Sequence, residues 1–378
     1  MRDFDFLIIG GGIFGAFSAL VLAEKKYTVC LVEKEKKLLS KASRINQCRL
    51  HNGYHYPRSF ETAQMASEYF NRFVTDHREF INKEMHSYYA IEKKSLTSSH
   101  QFEHFCSAIG IPAQRIKNHS LFDHAQLEAV YKTKEYAFDS NKLSEYYAQK
   151  LIRHAGITIL NMTHIVHSDR KNDHWWVQYR HTEHHELNFL TARCVINASY
   201  AGTNAVHKLF NQSYLPLEYK ISEIAIMKSE SLNKIGLTVM DGPFVSIFPF
   251  GQSGWMGLSS VPYTHHRVSE DSLPEFECQK LHTACRAELL SNCTICPHRP
   301  GSNQHRMVAQ LRQYLKPNVD LQYIQSLWAM KAILQTSNSN DGRPTQLSRL
   351  STTPGFYTIF AGKISSIYEI EKYLHDEF

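Results

Sequence analysis

The sequence lacks most features that mark nucleic-acid-binding, secreted or membrane proteins. No block of five or more like charges occurs in its 378 residues and the net charge is only +6, so no nucleic-acid partner is expected. The eight cysteines are scattered, without the dense spacing of a secreted disulfide scaffold, which favours a cytoplasmic protein. A chain of this length without internal repeats or low-complexity linkers predicts two globular lobes.

One uncharged stretch, residues 6–23, has the length of a signal or membrane helix. Four glycines interrupt it, and Asp3 and Asp5 precede it where a signal peptide carries basic residues. A buried strand followed by a turn and a helix explains the stretch better. We therefore expect a soluble protein with no transmembrane segment.

The segment Phe4–Ile9 is the mostly apolar run of a strand buried in a parallel sheet. It leads directly into Gly10–Gly15, which has the spacing G-x-G-x-x-G. A helix over 13–25 and a second strand over 27–32 are predicted to follow. The order strand, glycine turn, helix and strand predicts a dinucleotide-binding turn.

Each glycine of this motif has a physical role. Gly10 permits the tight turn, Gly12 lets a pyrophosphate approach the helix N-terminus, and Gly15 lets the helix pack on the strand. Glu33 stands 18 positions after Gly15, at the end of the second strand. A carboxylate there accepts hydrogen bonds from a ribose, as dinucleotide-binding folds require.

Two later segments repeat the pattern of a strand that runs into a turn. Residues 192–202 form an apolar strand and a turn of small residues, and residues 355–363 form a strand, a glycine turn and a helix start. A helix is predicted over 365–374, and shorter strands at 156–160 and 163–166. Both segments are therefore predicted to place a turn at the end of a buried strand.

These three segments together resemble the D-amino-acid oxidase-like superfamily of FAD proteins, over essentially the whole chain. That superfamily builds its FAD domain from an N-terminal fingerprint, a strand followed by N-A-x-G, and a C-terminal glycine turn that caps the flavin. Asn197–Gly202 and Ala361–Lys363 match the latter two, although Tyr200 adds a residue before the glycine. The resemblance favours FAD over NAD, because NAD-only dehydrogenases lack the last segment.

The resemblance implies an α/β fold. It consists of a Rossmann-like, discontinuous FAD-binding domain of the glutathione-reductase type and a second α+β domain on a mostly antiparallel sheet. We assign residues 1–87, 134–211 and 321–378 to the FAD-binding domain, and residues 88–133 and 212–320 to the substrate-binding domain.

Non-covalent FAD is the cofactor that the resemblance implies, with covalent attachment through His51 as an alternative. The backbone N–H groups of Gly362 and Lys363 are expected to face the flavin. The expected contacts are Gly10, Gly12, Ile13, Phe14, Gly15, Glu33, Lys34, Ser43, Asn46, Gln47, His51, Val166, Ala198, Gly202, Gly362, Lys363 and Ile364.

The segment 43–58 is rich in side chains that donate, accept or carry charge. It resembles the N-x-x-x-x-H-x-G stretch of L-2-hydroxyglutarate oxidases, with Asn46, His51 and Gly53 in register, and glycerol-3-phosphate dehydrogenases have a similar H-x-G. Residues 47–49 replace small or apolar residues, and His55 is extra. Substrate identity therefore stays open.

Flavin chemistry requires a protein to orient a C–H bond and to remove a proton from the neighbouring oxygen or nitrogen. A neutral imidazole suits that task, so His51 is the leading candidate base and His55 the second. A structural hydrogen bond is the alternative role for either histidine. Candidates for an anion clamp are Arg49, Arg58 and Arg343, and candidates for shaping the pocket are Tyr54 and Tyr56.

We therefore predict an FAD-dependent oxidoreductase, an oxidase or dehydrogenase acting on CH–OH or CH–NH groups of a small anionic substrate by hydride transfer to flavin N5. A 2-hydroxy acid is preferred, and an amine or amino acid is the alternative. A non-catalytic flavin-binding redox sensor is a third hypothesis, which the polar groups between Arg49 and Arg58 disfavour. The electron acceptor (oxygen, quinone or a carrier) and the oligomeric state stay open.

No metal site is predicted. Cysteines and histidines cluster between 278 and 298, but only Cys293 and Cys296 have the spacing of metal ligands, and a second such pair is missing. Cys278, His282 and Cys285 have helical spacing within a helix predicted over 274–290, which favours packing.

Overall fold

The computed structural model describes residues 2–184, 186–282, 284–335 and 345–378. None of the helices in these ranges combines the length and the apolar character needed to cross a bilayer. The helices are, in chain order, α1 (Ile13–Glu24), α2 (Phe60–Asp76), α3 (Ser99–Ala108), α4 (Ser140–Arg153), α5 (Thr203–Leu209), α6 (Val261–Thr264), α7 (Glu277–Lys280), α8 (Gln304–Arg312) and α9 (Ile367–Glu377).

The strands belong to two large sheets and one small one. They are β1 (Arg2–Ile9), β2 (Val29–Val32), β3 (Arg49–Leu50), β4 (Ile81–Asn82), β5 (His86–Glu92), β6 (Ala113–Ile116), β7 (Leu127–Thr133), β8 (Tyr136–Phe138), β9 (Ile157–Leu160), β10 (Thr163–Lys171), β11 (His174–His181), β12 (Leu187–Asn197), β13 (Leu217–Lys228), β14 (Ile235–Met240), β15 (Val245–Pro249), β16 (Met256–Ser260), β17 (His265–Ser269), β18 (Gln322–Leu334), β19 (Gln346–Thr352) and β20 (Gly355–Phe360).

The first sheet contains a parallel core in the order β20–β12–β1–β2–β9. Its central strand β1 is apolar from Phe6 to Ile9 because both of its faces are covered. One face packs on α1, α4 and α9, while the other packs on the β10–β11 hairpin and α5. The predicted Rossmann-like domain assembled from separated segments is confirmed.

The second sheet has nine strands, in the order β17–β13–β16–β15–β14–β5–β7–β6, with β18 paired to β13. All of its pairs are antiparallel except β14 with β5. The predicted boundary at residue 321 assigns β18 to the cofactor domain. The structure instead pairs β18 with β13 from Gln322 to Leu334, because Trp328 and Leu334 pack in the core beneath β13.

The helix predicted over 274–290 is mostly wrong. Only Glu277–Lys280 is helical, and the chain then runs through turns to α8. Side-chain hydrogen bonds anchor the chain at the end of this segment and just after it. The Thr294 hydroxyl donates to the Trp328 carbonyl (2.8 Å) and accepts from its N–H (2.9 Å), while Lys41 donates to the Leu290 carbonyl (3.0 Å).

The small sheet β3–β8–β4 lies where the chain passes between the lobes. Arg49 of β3 pairs with Ala137 of β8, two residues beyond Glu135. This pairing brings the polar segment 43–58 beside β8, the strand that follows β7 of the second sheet. It also places Arg49 close to Glu135.

Candidate active site

A cavity of about 700 Å³ extends between the two large sheets. Its wall combines the turn after β1, the ends of β2 and β12, and the loop before β3. The turn after β20 and strands β14 to β18 complete it. Small-molecule and cofactor sites of about 300–1,000 Å³ commonly occur at such interfaces between lobes.

The glycine turn forms one end of the wall. Gly10 has φ +107°, and a Cβ built there would lie 2.7 Å from the Ala198 carbonyl oxygen. A Cβ on Gly15 would lie 1.9 Å from the Gly10 oxygen, so only glycine lets α1 start this close to β1. Helix α1 begins at Ile13, and its first N–H groups stabilise negative charge at this end of the cavity.

The acidic residue after β2 is fixed by the turn itself. Glu33 Oε2 accepts a hydrogen bond from Gly11 N (2.7 Å), and Oε1 accepts one from Glu35 N (2.8 Å). Lys34 Nζ donates to the Leu290 carbonyl. Burial and the neighbouring Lys41 ammonium lower the pKa of Lys34 to about 7. An anion bound nearby is therefore expected to raise the pKa of Lys34.

The loop after β2 is organised by its own polar side chains. Ser43 Oγ accepts from Ile13 N (2.9 Å) at the start of α1. Asn46 Oδ1 accepts from Cys48 N (2.7 Å), while its Nδ2 donates to the Ser43 carbonyl (3.0 Å). Gln47 Nε2 donates to Ser259 Oγ in β16 (2.6 Å) and so ties this loop to the second sheet.

The middle segment also forms a turn at the cavity. Asn197 Nδ2 donates to the Thr203 carbonyl (3.0 Å), and its Oδ1 accepts from the Ser199 hydroxyl (2.6 Å). Tyr200, the residue added to the N-A-x-G pattern, has φ +55° and stacks on Phe360 with ring centroids 5.6 Å apart. The left-handed backbone conformation of Tyr200 thus accommodates the extra residue within the turn.

Nearly all of the predicted cofactor contacts line this one cavity. The two exceptions are Gly15, which packs against Gly10, and Val166. A β-bulge between Ile165 and His167 shifts the register of β10, so that His164 and Ile165 lie on the wall instead of Val166. Gly362, Lys363 and Ile364 lie on the wall after β20; the remaining wall contacts are Gly10, Gly12, Ile13, Phe14, Glu33, Lys34, Ser43, Asn46, Gln47, His51, Ala198 and Gly202.

The two candidate bases lie together. The rings of His51 and His55 stack with centroids 5.2 Å apart and planes inclined by 28°. Both line the cavity, as does Tyr56, whose ring meets His51 edge-on at 5.6 Å. Lys363 Nζ lies 5.1 Å from the centre of the Tyr56 ring. The histidine pair and a lysine thus face the same part of the cavity.

Arg49 also lies on the wall, but its guanidinium is engaged within the protein. Its Nε donates to Glu135 Oε2 (2.7 Å), its Nη1 to Ser246 Oγ (3.4 Å) and its Nη2 to the Tyr89 hydroxyl. The side chains of Arg49 and Glu135 are 1% and 0% exposed. The hypothesis that Arg49 clamps a substrate anion does not fit this buried ion pair.

Glu135 is a functional candidate that sequence reasoning missed. Although burial raises its pKa, the Arg49 guanidinium and a hydrogen bond to His51 lower that pKa to about 2. Its position 86 residues after Arg49 gives no local signal. The available hint is a charged residue between two buried segments, since Tyr131 and Ala137 are both fully buried.

Tyr54 is not part of the site, which corrects its prediction as a pocket residue. The side chain is fully buried away from the cavity, and its hydroxyl donates to the Pro112 carbonyl (2.5 Å) and accepts from Lys134 N (3.3 Å). The chain turns at Gly53, where φ is +101°, and this turns Tyr54 into the second lobe. Arg343, the other predicted clamp, lies outside the described residues.

Arg58 meets a second carboxylate on the wall. Its Nε donates to Asp241 Oδ2 (2.7 Å). Asp241 also accepts from the Thr97 hydroxyl (2.9 Å), and its backbone N–H donates to Ser95 Oγ (2.7 Å). Arg58 lies between β3 and α2, and Asp241 follows β14 of the second sheet. Their ion pair therefore links the two lobes at the cavity.

The cysteine-rich segment encloses a small cavity that is separate from the one described above. Cys278, Cys285, Cys293 and Cys296 surround one cavity of about 20 Å³ next to β18. Burial raises the pKa of Cys293 to about 11. Within the described part of the chain, no three His, Cys, Asp or Glu side chains are arranged to hold a metal ion.

The fold and the cavity define a two-domain dinucleotide-binding protein. Ionisable side chains line the cavity between its two lobes. Residues 5–289 match the model of the DAO family, described as FAD dependent oxidoreductase. The chain belongs to this family. It is an FAD-dependent oxidoreductase, and FAD is its cofactor.

Known proteins similar to this chain differ in their named substrates. The chain is 38% identical over 84 residues to an FAD-dependent monooxygenase, FPY4, from Fusarium mangiferae, and the match spans 22% of this chain and 23% of the relative. Glycine oxidase from Geobacillus kaustophilus superposes with a TM-score of 0.67 at 16% identity, covering 100% of this chain and 94% of that one. L-alpha-glycerophosphate oxidase from Mycoplasma pneumoniae, solved with FAD bound, gives 0.71 at 14% identity, covering 99% and 94%.

Proposed function

We propose that the protein oxidises a small anionic substrate at a carbon next to oxygen, with a 2-hydroxy acid as the preferred substrate. The observation that carries this proposal is the stacked pair His51 and His55 on the wall that also contains the glycine turn. The cationic residues Arg58, Lys331 and Lys363 line the same cavity. Imidazoles and cations together suit a substrate that carries a carboxylate and loses a proton.

The described wall fits FAD. We assign the pyrophosphate to Gly12 and Ser43, where the N-terminus of α1 stabilises negative charge. We assign a ribose to Glu33 and the flavin to the turn at Gly362, where an added Cβ would meet nothing within 4 Å. We expect FAD to be held without a covalent bond, with attachment through His51 as the alternative.

Bound FAD supplies an acceptor for the substrate's hydride. His51 is the proposed acceptor of the hydroxyl proton, because a neutral imidazole transfers protons efficiently near neutral pH. His55, stacked on it, is the second candidate. Arg58 and Lys331 are proposed to bind the carboxylate, with Arg58 held in place by Asp241.

An amine or amino acid is the second candidate substrate, and Asp241 favours it. Its carboxylate lines the cavity beside the Arg58 guanidinium. Opposite charges at one place suit a substrate that carries both an ammonium and a carboxylate. The similar structures named as glycine oxidase and glycerophosphate oxidase are compatible with either candidate.

Anaerobic reduction of the bound flavin tests the proposal. The purified yellow protein is mixed with a panel of 2-hydroxy acids and amino acids, and loss of the flavin absorbance band is followed. We expect 2-hydroxy acids to bleach the flavin and His51→Asn to slow the reduction by about 10²–10⁴-fold. The exposed His104 provides the matched control His104→Asn, which should reduce at the wild-type rate.

Bleaching by amino acids alone would favour the second candidate. No bleaching by either class would contradict the proposed oxidation and favour flavin binding without turnover. An unchanged rate in His51→Asn would remove His51 from the reaction.

A further inference from the structure

Glu135 lies between β7 and β8, where the chain leaves the second sheet. Its Oε2 accepts from Arg49 Nε (2.7 Å) and from the Tyr89 hydroxyl (3.0 Å), and its Oε1 accepts from Asn52 N (3.1 Å). These donors fix the orientation of the carboxylate. The sheet pairing of Arg49 and the bend at Gly53, next to Asn52, hold two of them in place.

This carboxylate stays charged in the folded protein. Burial opposes ionisation, but the buried Arg49 guanidinium and the His51 ring outweigh it and hold the pKa of Glu135 at about 2. Arg49 is itself enclosed by the rings of Tyr89 (4.9 Å) and Phe248 (4.8 Å). Glu135 is therefore expected to remain an anion beside a neighbouring imidazole at every physiological pH.

The neighbouring imidazole is that of His51. Glu135 Oε1 lies 3.5 Å from His51 Nδ1, and the His51 side chain is 18% exposed on the cavity wall. Contacts between catalytic side chains often shorten when a substrate binds. Because Nδ1 faces the buried carboxylate, Nε2 is the nitrogen placed to exchange a proton with a molecule in the cavity.

We propose that Glu135 is a positioning residue that holds the Nδ1–H tautomer of His51 and stabilises the imidazolium formed when His51 takes up the substrate's proton. A carboxylate behind a catalytic histidine orients the ring and stabilises its charged form in the same way in serine hydrolases. This inference rests on the proposed role of His51. It assigns Arg49 to the same unit, as the cation that keeps Glu135 ionised.

The titration of His51 in the FAD-bound protein tests the inference without a substrate. Histidine labelled with ¹³C and ¹⁵N in the ring reports tautomer and protonation by NMR, and the His51 signal is the one lost in His51→Asn. In wild type we expect the Nδ1–H tautomer. In Glu135→Gln we expect the midpoint of His51 protonation to fall by about one pH unit or more, because the anion is lost.

Tyr89→Phe is the matched control, since it removes a hydrogen bond to Glu135 but leaves its charge. We expect this variant to keep the wild-type midpoint. Glu135→Asp keeps the anion but moves it away from His51, so we expect it to lower the midpoint by less than Glu135→Gln does. If Glu135→Gln fails to fold, Glu135→Asp should still displace the midpoint to lower pH, by less. The acid limb of kcat/KM should move together with the midpoint.

A midpoint that stays at its wild-type value in Glu135→Gln and Glu135→Asp would overturn the inference and make Glu135 a structural ion-pair partner only. The NMR result separates this from the proposed oxidation. If no acid bleaches the flavin but the midpoint moves, the proposed function fails and the positioning of His51 by Glu135 stands.

Discussion

The two ends of the cavity are built in different ways. At the end proposed to hold the cofactor the wall is largely backbone, from Gly10 to Ile13 and at Gly362, and it is built from short turns that each follow a strand. At the other end, charged side chains meet across long stretches of chain. Arg49 and Glu135 are 86 residues apart, and Arg58 and Asp241 are 183 residues apart.

This difference determines which changes each end tolerates. A site made of backbone fails when an atom is added, because neighbouring main chain cannot move aside. A site made of buried ion pairs fails when a charge loses its partner, since the remaining charge stays desolvated. Steric changes should therefore affect cofactor binding most, and charge changes should affect pH dependence most.

The largest effect is expected from Gly15→Ala. The new Cβ would lie 1.9 Å from the Gly10 carbonyl oxygen, so α1 must move away from β1 or the glycine turn must open. We expect the protein to be purified without bound flavin, and its free energy of unfolding to fall by roughly 3 kcal/mol or more. Flavin absorbance relative to protein absorbance and denaturant unfolding measure the two effects.

Gly301→Ala is the control for this substitution, because a Cβ there meets nothing within 4 Å. It should retain both flavin and stability. A yellow, stable Gly15→Ala protein would show that the backbone at the cofactor end adapts, and the proposed contrast between the ends would fail there.

The next largest effect concerns the buried carboxylate and its pH dependence. The pKa of Glu135 is about 2 in the folded protein, below its ordinary value of 4.5, so its ionisation stabilises the fold above pH 4.5 and this contribution is lost as the pH falls towards 2. The shift corresponds to about 3 kcal/mol at neutral pH. Glu135→Gln should therefore be less stable than wild type at pH 6, and the gap should shrink by about 2 kcal/mol at pH 3.

Denaturant unfolding of both proteins at the two pH values measures this gap. The exposed pair Lys234–Glu84 (2.6 Å) supplies the control Glu84→Gln, which should follow wild type at both pH values. A gap that is the same at pH 6 and pH 3 would mean that Glu135 is not charged in the folded state.

The same contrast explains what the sequence could predict. The glycine turn, Glu33 and the three-segment FAD domain were predictable because each rests on a short motif with a fixed spacing. The buried positions of the Arg49 and Tyr54 side chains were not predictable from such motifs. Both lie in one polar stretch, and only the pairing of β3 with β8 and the turn at Gly53 send their side chains into the protein interior.

Other departures from the sequence predictions have similar causes. Val166 leaves the wall because of a β-bulge, and β18 joins the second sheet through pairing with a strand about 100 residues earlier in the chain. Residues 274–290 have helical spacing, yet the described part of this segment runs mostly through turns, and Lys41 donates to the Leu290 carbonyl at its end. Tertiary contacts outweighed local propensity in each case.

The smallest effect is expected from Tyr54→Phe, which tests the correction at this residue. The substitution removes the hydroxyl that donates to the Pro112 carbonyl, so stability should fall by about 1 kcal/mol while the rate of flavin reduction stays at the wild-type value. Tyr131→Phe is a matched buried variant, because its hydroxyl donates to Glu103 (2.6 Å) in the same lobe. If Tyr54→Phe slows reduction tenfold while Tyr131→Phe does not, Tyr54 acts on the site through the turn at Gly53, and the substrate end extends further into the second lobe than the cavity wall indicates.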